Sequence, residues 1–273
     1  MAVKGAFAAA MEGVAGVAHV ATIMPSQADS ALLQDPGLVV APVVAGTLSV
    51  LRTAAATPSV KSVVLTSSSS AAVWPHPDVE VPSVGEDTWN TECLEQAASL
   101  PADAPGKEWH IYGASKVRGE QAAWMFYNEE KPGFVFNAIL PNINLGPPLL
   151  KEDARSTGAW VAQVYNGDIS GISAFTPQWF VDVRDTALLH MYALTGASPA
   201  LAAGGVRMWA VAAPFSGNDI LAALRRLYPT KAFLAEIPGL GKELCRIDNK
   251  RGGELLGGWR SLDEAVRASV EGM

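Results

Sequence analysis

The sequence predicts an α/β fold organised around a doubly wound, mostly parallel sheet. Short β-rich runs alternate with longer helical patterns, as expected for parallel strands covered by helices on both faces. The strand candidates are apolar along their length rather than at alternate positions. The chain has 273 residues, 49% of them apolar and 17% charged, enough to enclose a large core in one domain or one domain with a smaller lobe.

Taken in order, "GVAHVAT" (16–22) reads as a buried strand and "VVAPVVAGTLSVLRTAAA" (39–56) as a helix closed by Thr57-Pro58. "SVKSVVLTSSSS" (59–70) is a second strand running into a serine cluster. Residues 74–106 are rich in proline and acidic residues and predict a long, irregular surface excursion. A helix follows from about Glu108 to Asn128, then a third strand, "FVFNAIL" (134–140), stopped by Pro141. Beyond residue 150 the rhythm loosens. "STGAWVAQVYNG" (156–167) predicts a helix, "WFVDV" (179–183) a short strand, and Asp185 the cap of a helix through Leu194. "VRMWAVAA" (206–213) is a further strand, while Ser216 and Ser261 start helices, Ser261 with Glu264 as a capping box.

The formal net charge of −7, with no offsetting cluster of Lys or Arg, argues against nucleic acid or an anionic membrane as partner. Cys93 and Cys245 have neither metal-ligand spacing nor a disulfide framework, so two free thiols in a reducing, cytoplasmic compartment are expected. The apolar run 38–51 is about one helix long with Pro42 inside it, and no run is read as reaching membrane length. Lys4 is followed by Glu12 and His19 within the first apolar stretch, which reads as fold rather than signal peptide.

The chemistry centres on "HIYGASKVRGE" (110–120), where Tyr112 and Lys116 lie one helical turn apart on one face. A tyrosine serves as acid or base near neutral pH when a neighbouring cation pulls its pKa down from about 10. A nearby serine hydroxyl can hold a carbonyl oxygen while the tyrosine protonates it. The pair alone is also compatible with an ordinary helix surface. Its setting adds weight, because it lies between a strand ending "VVLTSSSS" and one ending "AILPNINLGP", and ligands of doubly wound sheets bind at the carboxyl ends of strands. His19, His76, His110 and His190 show no metal or triad spacing.

With "GVAGVAHVAT", "VAGTLSVLRTAA", "VKSVVLTSSS", "YGASK", "LPNINLGP" and "QWFVDVRDTALLH", the sequence resembles the extended short-chain dehydrogenase/reductase family. It is most similar to the fungal aldehyde (carbonyl) reductase branch and near the plant dihydroflavonol reductases. The resemblance runs from Ala6 to the C-terminus. It implies a Rossmann-like sheet over residues 1–145 and a substrate lobe with a returning strand over 146–273, together one structural unit. It implies NADP or NAD as cofactor and a small-molecule carbonyl substrate. Tyr112 would be the general acid/base, Lys116 would lower its pKa and bind the nicotinamide ribose, and Ser68 would be the family serine, with Ser67 and Ser69 as alternatives in the run. His19, Ala21, Thr22, Thr66, Pro141 and Asn142 would line the cofactor. Trp74, Trp89, Trp109, Trp160 and Trp179 fall in or near the expected substrate segments, 74–110 and 145–180, and favour a bulky or aromatic substrate or, equally, ordinary packing.

The family's glycine-rich turn between a first strand and helix is not found. Gly13 and Gly16 precede a strand rather than follow one, and the resemblance begins at the family's third strand-to-helix connection, so the first two β-α units are lacking. Three readings follow: a reductase, a cofactor-independent acid/base enzyme acting as isomerase, cyclase or dehydratase, or an inactive homologue. "GVAHVAT" would become an apolar sheet edge, open to pairing with a second copy of the chain.

Overall fold

The computed structural model describes residues 5–24, 30–150 and 156–273. Lys4 and residues 151–155 of the expected substrate segment lie outside them. The chain divides into two compact units. The first comprises residues 1–74, 86–140 and 190–208; the second comprises 75–85, 141–189 and 209–273.

The first unit is built on a four-stranded sheet of order β1-β2-β3-β6, with β1 Gly16–His19, β2 Ser62–Thr66, β3 Val135–Pro141 and β6 Arg207–Ala210. β1 and β3 both run parallel to β2, with Val17 opposite Val63 and Val64 opposite Asn137. Val63, Val64, Phe136, Ala138, Ile139 and Leu140 are buried, which is why these strands read as continuous apolar runs. Among the described residues β1 has β2 as its only strand partner. An apolar groove of about 430 Å³ lies along β1, lined by residues including Phe7, Met11, Val14, Val17 and Val50. The strand expected to be buried alternates between exposed and half-buried residues, and it stops at His19 rather than Thr22.

The helix Gly37–Ala55 contains Pro42 within it and, by length and composition, could cross a membrane. The helix was expected over 39–56 with Pro42 inside it; what its length corrects is the expectation that no apolar run reaches membrane length. The proline removes the donor to the Leu38 carbonyl, and at this exposed position water can take its place. Val39, Val50, Leu51 and Ala54 are buried, and the helix packs against Lys107–Glu130. Gly119 permits the close approach: a Cβ there would lie 3.1 Å from Val43 Cγ1.

The expected irregular excursion holds a helix, Thr91–Ser99, started by the Asn90 side chain accepting from Cys93 N at 3.0 Å. The many prolines at its borders masked it. Lys107–Glu130 is the longest described helix, and Ile111, Ala114, Val117 and Ala123 bury its inner face.

The second unit carries a three-stranded sheet of order β4-β5-β7: β4 Ile143–Leu145, β5 Gln178–Asp182 and β7 Ala213–Phe215. β5 is parallel to β4 and antiparallel to β7. Phe180, Phe215, Ile220, Leu224 and Val266 form its core. Ser216 and Ser261 begin helices Gly217–Leu227 and Leu262–Glu271 as the sequence indicated, Ser261 in the expected capping box with Glu264 and Ser216 in a further one with Asp219. Asp185 does not cap. The helix Val183–Thr195 starts on Asp182, whose carboxylate accepts from Arg184 N at 2.8 Å, while buried Asp185 pairs with the Arg260 guanidinium and accepts from Arg260 N at 2.9 Å.

Candidate active site

Three consecutive residues at the carboxyl end of β2 meet three residues spaced four apart on the helix Lys107–Glu130. Thr66 offers its carbonyl to Lys116 Nζ at 3.0 Å. Ser67 donates its hydroxyl to Glu120 Oε2 at 2.5 Å. Ser68 hydrogen-bonds through its side chain with Tyr112. The helix supplies the four-residue period that aligns Tyr112, Lys116 and Glu120. Gly113 allows the neighbouring helix to press close, since a Cβ there would fall 2.4 Å from Cys93 Sγ.

These contacts resolve the serine run. Ser68, not Ser67 or Ser69, stands at the tyrosine; its Oγ also lies 3.0 Å from Ser70 Oγ and accepts from Ser70 N at 3.2 Å. Lys116 Nζ sits 5.8 Å from the centre of the Tyr112 ring. Burial raises the phenol's pKa above the usual tyrosine value, partly opposed by the Ser68 hydrogen bond. The expected depression by Lys116 is not found: the phenol is raised because the side chain is taken out of water. Burial also lowers Lys116 to about 8, with the Glu120 carboxylate pulling the other way.

Lys116 and Thr66 share a cavity of about 10 Å³ with His19, Ala21 and Thr22, roughly the room for one water molecule. His19 Nε2 lies 3.3 Å from Thr47 Oγ1, and burial followed by the Lys116 charge lowers its pKa. Thr66 Oγ1 is 2.7 Å from His190 Nε2. Among the described residues, Thr22 Oγ1 is buried with no hydrogen-bond partner. Pro141 closes β3 and Asn142 follows it in the second unit, where Asn142 Oδ1 accepts from Ile143 N at 2.7 Å. Among the described residues, no group of His, Cys, Asp or Glu could hold a metal ion.

Glu120 and Arg207 were not singled out from sequence. The Glu120 side chain is fully buried and takes Trp124 Nε1 at 3.0 Å and Arg207 Nε at 2.7 Å on Oε1. Arg207 NH1 donates to the carbonyls of Glu86 and Thr88, both at 2.7 Å, and the guanidinium lies 4.2 Å from the Trp89 ring. One further helical step beyond Lys116 would have flagged Glu120. Nothing local in the sequence points to Arg207, 87 residues away. Of the tryptophans, Trp179 is core, Trp74 stacks on His110 at 4.0 Å, and Trp160 packs on Phe175 at 4.7 Å. Trp109 is 49% exposed, edge-on to Tyr112 at 6.4 Å.

The parallel sheet, with a serine, a tyrosine and a lysine gathered at one strand end, is the arrangement that the resemblance to short-chain reductases implies. No family model matches the chain. Aldehyde reductase 2 of Sporidiobolus salmonicolor is 38% identical over 274 residues, which cover 98% of this chain and 77% of that protein. Ketoreductase adrE of Penicillium rubens is 36% identical over 233 residues, 85% of this chain and 65% of its own length. Among solved structures, Gre2 of Candida albicans in complex with NADPH superposes with a TM-score of 0.80 at 23% identity, covering 99% of this chain and 80% of that one. Vestitone reductase of alfalfa shares the fold with a TM-score of 0.71 at 19% identity, over 97% and 77% of the two chains. The chain belongs to the extended short-chain dehydrogenase/reductase family, in its fungal aldehyde and carbonyl reductase branch.

Proposed function

We propose that this chain reduces an aldehyde or ketone to an alcohol with NADPH, using Ser68, Tyr112 and Lys116. The observation that carries the reading is the hydrogen bond joining Ser68 to Tyr112 beside the Lys116 ammonium. Ser68 would hold the carbonyl oxygen of the substrate, and the Tyr112 hydroxyl would hand it a proton. Burial keeps that phenol protonated at neutral pH, which is the form a reduction requires. Negative charge develops on the phenol oxygen as the proton leaves, and the ammonium 5.8 Å from the ring stabilises it at that moment.

The groups around Lys116 suit the ribose–nicotinamide end of a dinucleotide. They supply an ammonium, the Thr66 hydroxyl, His19 and the buried Thr22 Oγ1, whose hydrogen-bonding capacity is unused. A nicotinamide cofactor bound there would supply the hydride for the carbonyl carbon. No glycine-rich turn opening a helix occurs among the described residues before β1, where the only helix is the four-residue Ala8–Met11. Support for NADPH over NADH comes from the name of a relative, an NADPH-dependent methylglyoxal reductase of Candida albicans 32% identical over 212 residues. Two buried, unpaired cysteines fit residence in a reducing cytoplasm.

Oxidation of millimolar NADPH against a panel of aliphatic and aromatic aldehydes tests the reading. Aldehyde-dependent oxidation is expected. Turnover of a carbonyl compound without nicotinamide would select the acid/base enzyme instead, and no turnover of either kind would select an inactive homologue.

A further inference from the structure

Thr66, Ser67 and Ser68 are each gripped by one residue of the Tyr112–Lys116–Glu120 stripe, and only the Ser67–Glu120 rung lies outside the proposed serine–tyrosine–lysine set. We propose that Glu120 is a positioning residue: through Ser67 it fixes the strand end that presents Ser68 to Tyr112, and through its charge it supports the Lys116 ammonium. This rests on the proposed function.

The geometry makes Glu120 well suited to that work. Its carboxylate is fully buried and accepts from four donor groups. Ser67 Oγ and Arg207 NH2 approach Oε2 at 2.5 and 3.3 Å; Arg207 Nε and Trp124 Nε1 approach Oε1 at 2.7 and 3.0 Å. A buried carboxylate persists as an anion when paired and fully hydrogen-bonded, and Arg207 supplies the pairing. Arg207 is itself held by the Glu86 and Thr88 carbonyls and the Trp89 ring, so the carboxylate stands on a braced support. Ser67 is also pinned through its backbone, N to Ile139 O at 2.8 Å. The residue before Ser68 therefore has both its amide and its hydroxyl fixed. Small misplacements of a catalytic group cost large factors in rate.

The charged and titratable groups around Lys116 are Tyr112 and Glu120 on its own helix and His19 at the end of β1. Beyond these, His190 reaches the Thr66 hydroxyl and Arg207 binds Glu120. Of these, Glu120 is the anion that favours the protonated lysine. Removing its charge while keeping its shape should lower the pH at which Lys116 loses its proton.

The test compares Glu120→Gln and Ser67→Ala with the wild-type chain by two readouts. One is the pH profile of NADPH-dependent aldehyde reduction. The other is titration of the Lys116 side chain by carbon-13 NMR, assigned with Lys116→Met, which needs no turnover. Glu120→Gln should lower kcat roughly tenfold or more and move both the alkaline limb and the lysine titration to lower pH. Ser67→Ala, which removes only a hydroxyl, should lower kcat while leaving the lysine titration in place. Glu120→Asp should restore the titration but not the full kcat. If Glu120→Gln does not fold, Ser67→Ala still decides the positioning claim. Both variants keeping wild-type kcat and titration, with only thermal stability reduced, would overturn the inference and leave Glu120 a structural residue. A wild-type chain without reductase activity but with the predicted titration shift would instead count against the proposed function alone.

Discussion

Lys116→Met should stabilise the protein at neutral pH while abolishing catalysis. The lysine is 7% exposed, and burial brings its pKa from 10.5 to about 8. That fall corresponds to about 3 kcal/mol at 1.36 kcal/mol per pH unit, a cost the folded state bears while the ammonium is charged. Methionine keeps a stem of similar size and removes the charge. It also removes the donor to the Thr66 carbonyl, a loss of about 1–3 kcal/mol. The net gain at pH 7 is therefore about 1 kcal/mol. Between about 8 and 10.5 the folded wild type has lost this proton and the unfolded chain still carries it, so wild-type stability rises with pH through that window. By pH 10 wild type should have recovered roughly 2.5 kcal/mol from this group alone, and the order of stability should reverse. Urea midpoints of both proteins at pH 7 and pH 10 measure this. A stability difference that does not change between those pH values would refute the claim that Lys116 is a strained, buried cation.

Gly113→Ala would place a methyl group 2.4 Å from Cys93 Sγ and should cost about 1–3 kcal/mol by overpacking; adding Cys93→Ala should recover part of it, as thermal melts would show. Burial raises Cys93 to about 12 and Cys245 to about 11, so iodoacetamide at pH 8 should label neither thiol in the native protein and both in urea. The β1 edge with its apolar groove should make the chain self-associate with rising concentration in light scattering. Val20→Lys, at a position 59% exposed just beyond the strand, should suppress that association; a wild-type monomer at every concentration would dismiss the edge as an interface.

The sheet was legible because its strands are apolar throughout, and the Tyr112–Lys116 pair because a helical turn fixes which residues share a face. Ser68 could not be separated from Ser67 and Ser69 by sequence, since four identical residues carry no register; the hydrogen bonds to Glu120 and Tyr112 supply it. The helix Thr91–Ser99 hid among prolines, although its Asn90 cap was readable. The helix through Pro42 was legible over 39–56, and the exposed position of the proline lets it continue. The Tyr112 pKa was misjudged because a cation at i+4 is visible in a sequence, whereas burial of the phenol depends on everything packed around it.

The most direct test of the central claim follows deuterium from the reactive ring carbon of labelled NADPH into the alcohol formed from an aromatic aldehyde, in the wild-type chain and in Tyr112→Phe. Removal of one buried hydroxyl leaves the helix and its packing in place, so the variant should fold with unchanged circular dichroism. General acid catalysis contributes about 10²–10⁴-fold. Wild type should therefore transfer the label to the carbonyl carbon, and Tyr112→Phe should do so at least a hundred times more slowly. Equal transfer by the two proteins, or alcohol formed by the wild type without the label, would contradict reduction at the Ser68–Tyr112–Lys116 site.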